Sequence, residues 1–148
     1  MGASAGGHLS AMLAVAKPHE SNGIKAAVAV GAPMDLTRPL YRGLAEPHDP
    51  TIARFLGGSP LEIPDVARKA SPIAYVRRGV PPILLIHGTA DTLVDPEQSM
   101  AMAKALKSAG ATHRLILVAG GGHGMGIARE EVVFKEVLTF LDVHVKGS

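Results

Sequence analysis

Three short apolar runs stand out along the chain: Ala26-Ala27-Val28-Ala29-Val30, Pro82-Ile83-Leu84-Leu85-Ile86 and Arg114-Leu115-Ile116-Leu117-Val118. Such runs, bounded by turn residues, read as strands buried on both faces. Gly23 and Gly31 bound the first, His87-Gly88 ends the second and a glycine-rich loop follows the third. Helical segments lie between and around them. Small and aliphatic residues from Ala5 to about Lys17 predict a helix ended by Pro18. Asp95-Pro96-Glu97-Gln98 opens another, with Asp95 as N-cap, Pro96 at N1, Gln98 in the capping-box position and Gly110 closing it as the C′ residue. A last helix is expected from about Ala128 to Val145. Its apolar stripe is Phe134, Val137, Leu138, Leu141 and Val145, and Glu131, Lys135 and Glu136 fall off it.

Residues 37–81 break this rhythm. They are irregular and punctuated by proline, with short helices expected over Pro50 to Leu56 and Pro64 to Lys69 before Ser71-Pro72. Connections of this length in compact domains are usually functional, so the segment reads as a lid-like insertion. Apolar strands alternating with helices predict an α/β fold, about three parallel strands joined by right-handed crossovers. A length of 148 residues predicts a single domain.

Composition narrows the classes. The chain is 47% hydrophobic with mean hydropathy +0.21, enough for a core. Its net charge of +2 has no clustered basic face behind it, since Arg68-Lys69 and Arg77-Arg78 are the only adjacent basic pairs. Nucleic acid is therefore not an expected partner. Absence of cysteine removes disulfides, thiolate nucleophiles and cysteine zinc sites. No apolar run reaches the roughly 18 residues of a membrane span. Leu9 to Ala16 imitates a signal peptide but no Lys or Arg precedes it, so it is taken as helix and the cytoplasm as the default location.

Gly2-Ala3-Ser4-Ala5-Gly6 matches G-x-S-x-G, the nucleophile elbow of α/β-hydrolases. Ser4 is the candidate nucleophile, and the N–H of Ala5, at the start of the following helix, is the candidate oxyanion donor. The flanking glycines are expected where a Cβ would collide. The competing reading makes Ser4 a helix cap or a chance match, and only Met1 precedes the motif where a strand should enter. His123, amid Gly120, Gly121, Gly122 and Gly124, is the candidate base. Of the other histidines, His8 is expected to pack or cap locally and His87 to bond backbone. His113 enters a strand, and His19, His48 and His144 read as surface residues. Asp91, after the second strand, is the candidate acid; Asp95 is better explained as a cap and Asp35 as a turn residue. The order Ser4, Asp91, His123 is the α/β-hydrolase order. His87, Asp91, Asp95 and His123 lack a recognised ligand spacing, so no metal and no cofactor are expected.

These motifs, with Ser71-Pro72-Ile73 and the stretch from Pro81 to Asp91, resemble the α/β-hydrolase esterases of the hormone-sensitive-lipase-like and acetylxylan or feruloyl esterase-like groups. The resemblance covers essentially the whole chain. It implies a serine carboxylesterase acting on short acyl esters through an acyl-enzyme. It also implies about five strands and a His-Gly-Gly-Gly-type loop ahead of the elbow in family members, so this chain resembles the C-terminal half of the fold. Two consequences are expected. Activity is low if an oxyanion donor is lacking, at a cost on the order of 10²–10³. The strand from Ala26 to Val30 has a bare apolar edge, which favours a homodimer or higher oligomer. Met34, Leu36, Leu40, Tyr41, Phe55 and Leu56 are candidate pocket or lid residues, with simple packing as the alternative. The rival functions are a catalytically incompetent fragment of a longer esterase and a prolyl-oligopeptidase-type peptidase.

Overall fold

Gly2–Ala3 (β1), Ala27–Val30 (β2), Ile83–Gly88 (β3) and His113–Val118 (β4) form one parallel sheet in the order β1-β2-β3-β4. The computed structural model describes residues 1–16, 23–41, 50–124, 126 and 130–146. The helices are Ala5–Val15 (α1), Pro50–Leu56 (α2), Pro64–Lys69 (α3), Glu97–Ser108 (α4) and Glu131–Leu141 (α5), with a 3-10 turn at Pro72–Tyr75 and a π-helical turn at Asp142–Lys146. The α/β architecture is as expected. The expected end of the first helix at Lys17-Pro18, the start of the last at Ala128, and His19 and His48 lie outside the described residues.

Among the described residues the strand count is four, against the three or so expected. Gly2 aligns with Ala29 and Ala3 with Val30, so β1 covers the C-terminal half of the β2 edge that was expected to be bare. Alternation then divides the core by face. Ala27, Ala29, Ile83 and Leu85 pack against Ala11, Ala14 and Val15 of α1 and Met102 and Leu106 of α4. Val28, Val30, Leu84 and Ile86 pack against Val133, Val137 and Phe140 of α5. Every residue of β2 and β3 is buried, which is why their sequences are runs rather than alternations.

The expected stripe holds at two of its five positions. Val137 is buried and Leu141 packs at the core margin, but Phe134 and Leu138 are 49% and 47% exposed and Val145, in the turn past α5, is exposed as well. The buried line runs one position earlier, through Val133, Val137 and Phe140. Two apolar stripes lie side by side on this helix, and only packing chooses between them. At α4, Asp95 Oδ1 accepts the N–H of Glu97 at 3.0 Å, as a cap should. Gln98 does not close a capping box, because its side chain is used elsewhere. The helix ends in a Schellman motif: Gly110 at φ 66 donates to Lys107 and Ala111 donates to Leu106. Among the described residues no helix is long and apolar enough to cross a membrane.

Candidate active site

Ser4 sits between β1 and α1 at φ 51, ψ −122, and among the described residues it alone takes a positive φ without being glycine. Such a backbone costs on the order of 1–3 kcal/mol and persists only where its surroundings impose it. Its N–H donates to the Val30 carbonyl at 2.8 Å, and its own carbonyl accepts from His8 N–H at 3.0 Å. A Cβ on Gly2 would lie 2.3 Å from the Gly6 carbonyl oxygen, and one on Gly7 would lie 2.8 Å from the Ala32 Cβ. Gly6 has open space around it, so the collisions expected of both flanking glycines fall on Gly2 and Gly7. The Ser4 hydroxyl makes no capping bond to α1. The first N–H groups of that helix, beginning with Ala5, have no acceptor within it.

Asp91 lies in the turn after β3 with its side chain fully buried. Its Oδ1 accepts the N–H groups of Leu93 and Val94, both at 2.9 Å. Its Oδ2 faces His123 Nδ1 at 2.8 Å and His87 Nε2 at 3.2 Å. Burial pushes the Asp91 carboxyl up, but the bonds from Val94, His123 and Leu93 outweigh it and hold the group below its ordinary value. An acceptor at Nδ1 assigns the His123 proton there, leaving Nε2 as the basic nitrogen. His123 is partly exposed, with a side-chain accessibility of 20%.

Two glycines let these groups meet. A Cβ on Gly31 would stand 3.3 Å from Asp91 Oδ2 and 3.6 Å from His123 Nδ1, so the backbone just past β2 runs against the pair. Its neighbour Val30 holds the Ser4 N–H, which brings the end of β1 to the same edge. Gly88 ends β3 directly under the histidine loop. That loop is fastened by Ala90 N–H to the Gly121 carbonyl and by Gly120 N–H to Thr89 Oγ1, both at 2.9 Å. The sites therefore collect at the carboxyl edge of the sheet, where open α/β folds place them.

Sequence reasoning gave His87 a bland role and missed its link to Asp91. Its ring is fully buried, with Nδ1 2.7 Å from Ser99 Oγ and Nε2 3.0 Å from the Val94 carbonyl. Gln98 and Ser71 were missed as well. The Gln98 amide oxygen accepts from Met34 and Asp35 N–H, each at 2.8 Å. Ser71 Oγ accepts from Leu36 N–H and donates to the Ala67 carbonyl, each at 2.7 Å. Together they pin the chain after β2. Asp35 is the turn residue expected, its Oδ1 accepting from Thr37 N–H and hydroxyl.

An apolar pocket of about 250 Å³ opens beside Ala5, walled by His8, Leu9, Pro33, Leu36, Ile52 and Phe55. Leu36 and Phe55 thus lie where a pocket exists. Met34 does not: it is wholly enclosed in the core between the sheet and its helices, so its candidate pocket role is withdrawn. Tyr41 lines a different pocket, shared with the charged residues Asp35, Arg38, Asp95 and Glu97.

Burial pushes the pKa of His87 below its ordinary 6.5, and the bond to the Val94 carbonyl and the nearby Asp91 only partly offset this. His8 is lowered for the same reason, its bond to the Pro33 carbonyl again opposing. Both groups hold fewer protons folded than unfolded just below pH 6.5. Stability is therefore expected to be full above that pH and to fall as pH drops through it. Asp91, lowered from 3.8, adds a further loss at more acid pH. Urea midpoints at pH 7.5, 6.5 and 5.5 check this; a midpoint that stayed level or rose on acidification would contradict it.

The BD-FAE family model matches residues 1–106. Esterase LipQ of Mycobacterium tuberculosis is 33% identical over 156 residues, covering 96% of this chain and 37% of that protein. A truncated form of a carbohydrate esterase from gut microbiota superposes with TM-score 0.82 at 30% identity, covering 93% of this chain and 55% of that one. Thermogutta terrifontis Est2, a thermophilic esterase, superposes with TM-score 0.65 at 27% identity, covering 95% and 51%; it is also known with butyrate and with propionate bound. The chain thus spans about half or less of the length of these relatives. They agree with the esterase resemblance read from the motifs.

Proposed function

The chain belongs to the BD-FAE family, and from that we propose that it hydrolyses short-chain acyl esters through Ser4, His123 and Asp91. One observation carries the reading. The Asp91–His123 hydrogen bond of 2.8 Å stands at the edge of the sheet where β1 also ends, in Ser4 with its strained backbone geometry. Ser4 Oγ attacks the ester carbonyl while His123 Nε2 takes its proton. Asp91 accepts from Nδ1–H and stabilises the imidazolium. The Ala5 N–H donates to the oxyanion. Collapse of the tetrahedral intermediate breaks the ester C–O bond, and the leaving alkoxide takes the proton from Nε2. Water, deprotonated by the same nitrogen, then attacks the acyl-Ser4 carbonyl; the bond to Ser4 Oγ breaks, Oγ takes the proton back from Nε2, and the carboxylic acid leaves. The apolar pocket at Ala5 is the place for a short acyl chain, a reading supported by the butyrate- and propionate-bound forms of the Thermogutta esterase.

Hydrolysis of p-nitrophenyl acetate, butyrate and dodecanoate by wild type, Ser4→Ala and His123→Ala tests this. Wild type should exceed both variants on the two short esters and lose the dodecanoate. Turnover no higher in wild type than in the variants would leave the fragment reading in its place.

The proposal extends to assembly. Leu9 and Leu13 of α1 are 58% and 62% exposed on one side of the sheet, and Phe134 and Leu138 of α5 are exposed on the other. Between them β1 has no outer neighbour among the described residues. A homodimer or higher oligomer wrapping that edge would cover all three. Light scattering should give a multiple of 15.3 kDa; a particle of the single-chain mass at all concentrations would sink the idea.

A further inference from the structure

We propose that His87 is a positioning residue, holding the Asp91 carboxylate square to His123. The inference rests on the proposed roles of Ser4, His123 and Asp91. His87 is the penultimate residue of β3 and none of its surface is accessible. A buried imidazole must satisfy both ring nitrogens. Nε2 faces two acceptors, the Val94 carbonyl at 3.0 Å and Asp91 Oδ2 at 3.2 Å, so it carries the proton. Nδ1 then accepts from the Ser99 hydroxyl at 2.7 Å. The ring is neutral, doubly tethered, and anchored to the first turn of α4.

This arrangement acts on the carboxylate. Oδ1 is held by two backbone N–H groups from its own turn. Rotation about Cβ–Cγ carries both oxygens, and those two bonds resist it from the Oδ1 side only. A second donor at Oδ2, on the side away from solvent, stops that rotation. Because His87 is neutral it brings this donor without a full positive charge, so Asp91 keeps its charge for the imidazolium of His123. Ser99 sits next to Gln98, which pins the chain after β2, so the first turn of α4 supports both the acid and the pocket wall.

The test uses the full chain labelled with ¹⁵N-histidine. At pH 7 His87 should appear as the neutral Nε2–H tautomer, and His123 should show a strongly deshielded Nδ1 proton. Neither readout needs turnover, so each stands even if the ester assay fails. His87→Leu should shift or lose the His123 proton and lower kcat about 10- to 100-fold with KM little changed, the penalty of a misplaced catalytic group. His87→Gln, which keeps an N–H donor, should recover most of both. A wild-type spectrum showing the Nδ1–H tautomer or a charged ring at His87 overturns the proposal, even where His87→Leu fails to fold. So does a folded His87→Leu that keeps the His123 proton and full kcat.

Discussion

Asp91→Asn is expected to lower kcat by about 10⁴-fold, the cost known for the equivalent change in a serine triad. The structure explains why asparagine cannot substitute. Four donors converge on the carboxylate: Leu93 N–H, Val94 N–H, His123 Nδ1–H and His87 Nε2–H. An amide has one oxygen, so whichever way it turns its NH₂ group meets two donors. If NH₂ faces the histidines, His123 is driven to its other tautomer and Nε2 is no longer basic. If NH₂ faces Leu93 and Val94, the turn itself is broken. A buried unsatisfied donor costs about 1–3 kcal/mol, so stability should fall as well. Steady-state kinetics on p-nitrophenyl butyrate with a urea titration of the same protein would check both. A variant within tenfold of wild type would remove Asp91 from the site.

Gly88→Val should be among the most damaging single changes to the fold. A Cβ there would lie 2.1 Å from the Gly121 carbonyl oxygen and 2.6 Å from that of Gly122. Both obstacles are backbone, and the loop is tied to Ala90 and Val118, so no flexible side chain can yield. Overpacking costs about 1–3 kcal/mol and occasionally more, and the displaced segment is the one that carries His123. Thermal unfolding should shift down by roughly 2–4 °C per kcal/mol, with ester hydrolysis lost at temperatures where the protein is still folded. An unchanged melting temperature with normal turnover would mean the loop does not need this glycine.

The parts of the fold that announce themselves in the sequence depend on local pattern. Strands buried on both faces must be apolar throughout, so β2 and β3 stand out; β4 was expected to be of the same kind, but it is only partly buried, with Arg114 and Leu117 exposed. Gly110 marks a helix end because a left-handed residue is needed there. The short helices at Pro50–Leu56 and Pro64–Lys69 were legible from their prolines. What stayed hidden depends on distant partners. Gly2-Ala3 is too short to carry a pattern, and it is a strand only because β2 offers it hydrogen bonds. The Gln98 side chain looked like half of a capping box until a loop sixty-odd residues earlier claimed it. The site shows the same division. Ser4, Asp91 and His123 could be named from motif and order, and the structure joins the latter two directly. His87 could not, since a histidine four residues from an aspartate outside a helix signals nothing until the turn between them is known. Met34 looked like a pocket residue because it shares an apolar segment with Leu36, yet one faces the core and the other the pocket.

Strand register has one more consequence. Each residue of β4 is matched to one of β3, from His113 against Ile83 to Val118 against Gly88. A strand advances about 3.3 Å per residue and alternates its faces. The nearest misalignment that keeps each side chain on its own face of the sheet is thus a slip of two residues, about 6.6 Å. His123 would then lie more than two hydrogen-bond lengths from where Asp91 needs it. Intermediate errors are not available, so each molecule either has an assembled site or has none. A preparation with low specific activity would then be a mixture of fully competent and silent molecules, and active-site titration would count the competent fraction directly.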